Sequence, residues 1–548
     1  MLKRPLKSRL LAAGIACTLA AAACGSGDKT DSDGGTDDSG IDTGTPVIGG
    51  SLTLALEADN PGGLCLPEGQ LAASGIQMAE PVFEPLVAYD ENLVPKPFLA
   101  ESVDTNATMT EYTFKLRKGI KFHDGTDFDA EIVKLNIDAW RGTAENKAIT
   151  GREPVLLSFS YSDIANVAVV DPLTVKVTTK RTWNGFLSVL AAGRSGIMAR
   201  SQLVAPKVEC QTKWVGTGPF QLVSWQAGQP AVLKKNPNYW RKDKNGVQLP
   251  YLDNLKFVPI KDSNVRKDQL KAGQVDAIQT SSESVMSDIE ALPDFAVLRE
   301  ADGHREVAYG LVNHSRAPFN DIEVRRAFAQ VLDRDKLNDI SNLGAFAIAD
   351  QPFDTKTIAY DPSIKMIDRD PDAGGAFLKS KNIKFTLLYA TDPNTAQLAK
   401  EIKRQLGEVG VEVDISEVDQ GALITTAVGG KFDVALWRNH PGADPDTQYN
   451  WWYSKSILNF GHINDPEVDK LLDEGRTSVD ESKRRETYQK LSRLMSEKYY
   501  NAWNWYTEWG FPHKKEVRNL DGATLPDGTK AAKLNWGFTN IAESWIQK

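Results

Sequence analysis

The chain has 548 residues, 41% hydrophobic and 25% charged, ordinary globular material for two or three packed units. A formal net charge of -9 gives a nucleic-acid partner no electrostatic support. The 13 Trp and 14 Tyr offer flat surfaces with a polar edge, which fill cores more often than they line sites for polar organic ligands.

The N-terminus reads as an export signal. MLKRPLKSR is basic, and LLAAGIACTLAAAAC is apolar and ends in small residues before Cys24. The apolar run, about 14 residues, is too short to span a bilayer as a permanent helix. A Cys directly after small residues resembles the bacterial lipobox, with Ala21 where Leu usually stands. That resemblance implies a signal peptide over 1–23 and Cys24 as a lipidated mature N-terminus. Residues 24–46, rich in Gly, Ser, Thr and Asp, then form a flexible acidic tether. Their Asp residues lack the spacing of a calcium loop. With Cys17 lost and Cys24 lipidated, Cys65 and Cys210 remain as an even pair in an oxidising compartment, and a disulfide between them is expected. There is no CxxC, and no later segment approaches 18 apolar residues.

From Gly50 the patterning becomes regular. SLTLALEAD alternates as a strand, and EYTFKLRKGIKF reads as two strand-like runs around a turn. DAEIVKLNIDAWRG places Ile132, Leu135 and Ala139 on one helical face, with Asp129 as N-cap. LTVKVTT alternates again, and 211–300 is strand-rich. In DIEVRRAFAQVLDRDKLNDI, Val324, Phe328, Val331 and Leu332 recur at helical spacing. KFTLLYA, NTAQLAKEIKRQLGEVG, VEVDISEVD, ALITTAVGG and KFDVALW then alternate strand and helix. This βαβαβ unit predicts an α/β fold with a parallel sheet covered on both faces. A long helical stretch follows through PEVDKLLDEGRTSVDESKRRETYQKLSRLMSEKYYNAW.

LWRNHPGADPD, residues 436–446, lies at the carboxyl end of the last strand of that unit, where open α/β sheets collect ligands. Trp437, Asn439, His440 and Asp444 are therefore candidate ligand contacts. Asp-Pro-Asp also fits the first turn of a helix continuing through TQYNWWYS, which would occupy Asp444 in capping. In NAWNWYTEW, Trp503 and Trp505 would point the same way from a strand, and Trp505 joins the candidate list. The six His are scattered, with no HxxxH or HExxH, so no metal site is expected. No catalytic signature or phosphate loop appears, and neither a cofactor nor catalytic residues are assigned.

Five phrases in order resemble the family-5 extracytoplasmic solute-binding proteins of ABC importers, the peptide/nickel group. They are EPLVAYDENLVPKPFLAES, YTFKLRKGIKFHDGTDFDAEIVKLNIDAW, VGTGPFQLVSWQAGQPAVLKKNPNYW, LVNHSRAPFNDIEVRRAFAQVLDRDKL and DPEVDKLLDEGR. The resemblance implies two lobes closing on a solute. Lobe I would cover 47–305 with an inserted subdomain at about 81–214, lobe II 306–513, and 514–548 would return to lobe I. It further implies a monomer on the outer face of the cytoplasmic membrane. That monomer would deliver a small solute, peptide-like by class, to a permease driven by separate ATPase subunits. Peptide binders of this group hold the α-ammonium with an Asp three residues past the Trp. His440 occupies that position here, and the nearest acid is Asp444. An ammonium in a closed cleft needs a charged partner. The alternatives are a secreted glycan-active hydrolase, which needs a carboxylate pair, and a binding protein for an oligosaccharide or metal chelate.

Overall fold

A computed structural model describes residues 44–548 apart from Gln70, Val155, His440 and Pro441, and residues 45–548 form one compact unit. The signal, Cys24, nearly all of the tether and His440 lie outside the described residues. Among the described residues, no helix is long and apolar enough to cross a membrane.

Two mixed sheets organise the unit. A seven-stranded sheet runs in the order Phe295–Arg299, Gly510–Lys514, Ala277–Ile278, Ser51–Leu56, Asn254–Pro259, Ala231–Lys235 and Phe220–Ser224. A five-stranded sheet runs Glu412–Val418, Lys384–Ala390, Val434–Asn439, Glu306–Val312 and Asn501–Thr507. The three strands of the βαβαβ unit are parallel, and two antiparallel strands complete the sheet. The seven-stranded sheet is the centre of a first body and the five-stranded sheet of a second. A separate four-stranded antiparallel sheet, Ala100–Thr105, Glu111–Leu116, Thr174–Thr179 and Ile164–Asp171, is inserted in the chain between Ser51–Leu56 and Phe220–Ser224 of the first. Cys65 and Cys210 are joined in a disulfide across 145 residues of sequence.

The chain crosses between the two large sheets twice, from Arg299 to Glu306 and from Thr507 to Gly510. The return thus falls before the boundary at 513 that the sequence suggests, because Gly510–Lys514 pairs with Phe295–Arg299 in the first sheet. Buried polar contacts pin the crossing. The Trp509 indole donates to Glu306 Oε2 at 2.9 Å, and the Trp509 amide donates to Glu300 Oε2 at 3.1 Å.

Local rules account for most element ends. Asp129 accepts from the Ile132 amide at 3.0 Å to cap Ala130–Arg141, which closes on Gly142 at φ +59°. The run read as one helical pattern from residue 321 splits into Ile322–Val331 and Arg334–Asn342. Asp333 leaves helical geometry and accepts from the Lys336 amide at 3.0 Å, capping the second helix. Asp480 likewise divides the long C-terminal stretch into Pro466–Thr477 and Glu481–Glu497. Of the two runs in EYTFKLRKGIKF only Glu111–Leu116 is a strand; the second makes one isolated bridge, Lys121 to Asp127.

One expectation reverses for a geometric reason. Tyr309 pairs with Trp503 and Ala308 with Trp505, so Asn504 is an extra residue in a β-bulge. The bulge turns the two indoles to opposite faces of the sheet. Trp503 packs edge-on to Tyr309 at 5.1 Å, whereas Trp505 joins the core formed with Phe328, Phe346 and Leu387.

Candidate functional site

A cavity of about 60 Å³ lies where the two bodies meet. Tyr89, Ser160, Tyr161, Arg194 and Ser195 come to it from the first body and its insertion, and Trp536 and Phe538 from the returning C-terminus. Asn439, Thr447, Asn450 and Trp451 come from the loop and short helices after Val434–Asn439. The walls mix aromatic and aliphatic side chains with amides and hydroxyls, and one charged side chain among the described residues, that of Arg194, lines them.

The polar groups are held by neighbours. Asn439 Nδ2 donates to Gln448 Oε1 at 2.8 Å. Asn450 Nδ2 donates across the gap to Ser160 Oγ at 2.7 Å, while Asn450 Oδ1 is buried without a partner. The Tyr161 hydroxyl and Ser195 Oγ share a hydrogen bond, and burial pushes the Tyr161 phenol well up. Arg194 donates from Nε to the Leu71 carbonyl at 3.1 Å, and its guanidinium lies 4.5 Å from the centre of the Trp536 ring. Burial pulls its pKa down to about 10, so it remains a cation at neutral pH.

The candidates read from sequence fall in different places. Asn439 lines the cavity. Trp437 stands one ring behind it: Phe460 packs against both Trp437, at 5.3 Å, and the cavity-lining Trp451, at 5.5 Å. Trp505 is in the core for the reason given above. Asp444 is also withdrawn from the cavity, because it caps the 3₁₀ turn Pro445–Gln448 by accepting from the Asp446 amide at 2.9 Å and pairs with the buried Arg484. Capping and ion pairing thus engage its carboxylate.

Asp446, which sequence reasoning treated only as a cap residue, binds the two bodies together beside the cavity. Its Oδ2 accepts from the Trp183 indole of the insertion at 2.6 Å, and its Oδ1 from Arg476 Nε at 2.8 Å. Arg476 is fully buried, lies 3.6 Å from the centre of the Tyr449 ring, and reaches Asp163 of the insertion at 3.0 Å. Arg181 of the insertion meets Asp473 at 2.5 Å and the Tyr449 hydroxyl at 2.9 Å. A Cβ on Gly185 would fall 2.7 Å from the Asp446 side chain, so only glycine permits this approach. Nearer the crossing, Arg438 bridges Glu57 at 2.9 Å and Glu306 at 3.2 Å.

Sequence reasoning missed Arg194, Asn450 and Trp183. Arg194 left a signal, a lone cation in the apolar, Gly-flanked run FLSVLAAGRSGIM. The pairing of Trp183 with a residue 263 positions away left none.

The middle-region model of the bacterial extracellular solute-binding proteins, family 5, matches residues 94–460. The chain is 28% identical over 356 residues to the glutathione-binding protein GsiB of Escherichia coli K12; the match covers 63% of this chain and 65% of GsiB. It is also 28% identical over 452 residues to di/tripeptide-binding protein 1 of Pseudomonas aeruginosa, with 76% of this chain and 82% of that relative covered. In fold it is similar to AgaA of A. tumefaciens R10 solved with agropinic acid. The TM-score is 0.79 at 24% identity, over 91% of this chain and 99% of the other. It is equally similar to DppA of Helicobacter pylori solved with the peptide STSA, with a TM-score of 0.79 at 21% identity over 92% and 99%. These are two-lobed periplasmic binding proteins with mixed α/β content. With its middle region matched and its two sheets joined by a double crossing, the chain belongs to the family-5 bacterial extracellular solute-binding proteins.

Proposed function

We propose that the protein captures a small solute outside the cytoplasm and presents it, enclosed, to the transmembrane subunits of an ABC importer. Separate ATPase subunits would drive transport. The observation that carries this reading is the cavity walled by side chains from both bodies, with only two chain crossings joining them. Such a site forms on closure, and a ligand touching both walls biases the equilibrium toward the closed form. Asn439, Asn450 and Trp451 contact the solute from one side and Tyr161, Ser195 and Arg194 from the other. The names of the relatives, for glutathione and for di- and tripeptides, support a peptide-like solute. Cys24 would carry the lipid that holds the protein, as a monomer, on the outer face of the cytoplasmic membrane.

The test is incubation of the purified protein with a small-molecule extract, followed by mass spectrometry of what is retained and small-angle scattering of the loaded protein. One intact solute per chain with a smaller radius of gyration is expected. Chemical conversion of the retained molecule, or no retention and no compaction, would overturn the reading.

A further inference from the structure

The described carboxylates of the clamp beside this cavity are already engaged. Asp444 pairs with Arg484, Asp446 with Arg476, and Asp163 with both Arg181 and Arg476. Arg194 is the opposite case. It forms no ion pair with any described residue, its one hydrogen bond among them uses Nε, and it lines the cavity. The Leu71 carbonyl holds Nε and the Trp536 ring lies against the guanidinium, so neither occupies the terminal nitrogens with a hydrogen bond. The terminal nitrogens are thereby left as a preformed fork, the geometry that takes a carboxylate in two parallel hydrogen bonds. A second group points the same way. Asn450 Oδ1, buried and unpartnered, can accept one hydrogen bond from a ligand N–H or O–H.

A cavity with an unpaired cation and no free anion among the described residues is electrostatically suited to an anion and hostile to an ammonium. A cationic head would be desolvated beside Arg194 without a counter-charge. The cavity volume of about 60 Å³ holds on the order of four to six waters, so the part of the ligand it takes is small.

Resting on the capture reading above, we propose that the solute is a small carboxylate without a free ammonium group, such as an N-acylated amino acid or a hydroxy acid. Arg194 binds its carboxylate and Asn450 Oδ1 accepts from its amide or hydroxyl.

The test uses one peptone digest in three portions: untreated, N-acetylated with acetic anhydride, and carboxyl-amidated with methylamine and carbodiimide. Each is offered to the full-length protein and to its Arg194→Gln and Arg194→Lys variants, with retained molecules identified by mass spectrometry. Compounds carrying a carboxylate and no amine should dominate what the wild type retains, and amidation should abolish retention. Arg194→Gln should weaken binding at least tenfold, with Arg194→Lys in between because it keeps the charge and loses the fork. Thermal unfolding of the variants separates lost binding from lost folding, and Arg194→Lys carries the test if Arg194→Gln does not fold. If free-amine compounds dominate, if amidated ones are retained equally, or if a folded Arg194 variant binds within twofold of wild type, the proposal is overturned while solute capture stands. Retention of nothing in any portion, with no compaction, instead removes the capture reading and this inference with it.

Discussion

The clamp beside the cavity makes closure measurable through one hydrogen bond. In Trp183→Phe the ring and its packing against Phe186, at 4.9 Å, are largely kept, and the indole N–H that meets Asp446 Oδ2 at 2.6 Å is removed. Asp446 is buried, so in the closed form its Oδ2 loses a charge-assisted bond that no other described donor replaces. In an open form water reaches that oxygen and nothing is lost. The penalty therefore falls on closure alone, at about 1–3 kcal/mol for an unsatisfied buried acceptor. That corresponds to roughly a 5- to 150-fold shift of the open–closed ratio toward open. Apparent solute affinity falls by the same factor where the free protein is mostly open, and by less where it is mostly closed. The volume lost from the ring weakens both forms and appears as a lower melting temperature. Small-angle scattering of the unliganded protein and calorimetric titration with the retained solute read the two effects separately. A Trp183→Phe protein that melts lower, yet scatters and binds like wild type, would refute the assignment of this bond to closure. Arg181→Met is the internal contrast. Its contacts with Asp473 and the Tyr449 hydroxyl come from a side chain about a third exposed, as is Asp473, so their loss should cost closure no more than about 1 kcal/mol.

Glu80 has one carboxyl oxygen buried without a partner, and burial, with Glu84 beside it, pushes its carboxyl up to about 8 from an ordinary value of 4.5. The folded form thus holds a proton that the unfolded chain releases, so stability falls as pH rises from about 4.5 to 8. Glu80→Gln should flatten the profile by up to about 1.4 kcal/mol per pH unit in that window, and an unchanged slope of melting temperature against pH refutes the assignment. Replacing Cys65 and Cys210 by Ser opens a loop of 145 residues and should cost about 2–4 kcal/mol in denaturant unfolding. A loss below about 1 kcal/mol would show that the bond constrains the unfolded chain little. Arg438→Leu removes the charge that opposes the burial of Glu306, so it should lower the melting temperature more at pH 8 than at pH 5, where Glu306 is closer to neutral. A deficit independent of pH would place the loss in the stacking of Arg438 on Trp509 instead.

Local patterns carried the elements, and partners at long range decided the site. Helical spacing and capping Asp residues were enough to locate Ala130–Arg141 and Pro393–Glu408, because the 3.6-residue period and the N-cap are written within a dozen positions. The strand-end rule selected 436–446, and of that stretch Asn439 and Gly442 line the cavity. Trp505 was misplaced because a bulge at one residue reverses side-chain parity, and nothing in NAWNWYTEW announces the extra residue. Asp444 and Arg194 differ as ligand candidates on another ground, the identity of a partner set by the fold at long range. Asp444 meets Arg484, 40 residues on, and its charge is neutralised before any solute arrives. Arg194 meets a carbonyl and an aromatic face, neither of which neutralises it. On the proposed reading, the residue whose charge is left unanswered between the two walls is the one that selects the solute. That residue is found by elimination over the whole fold rather than by motif.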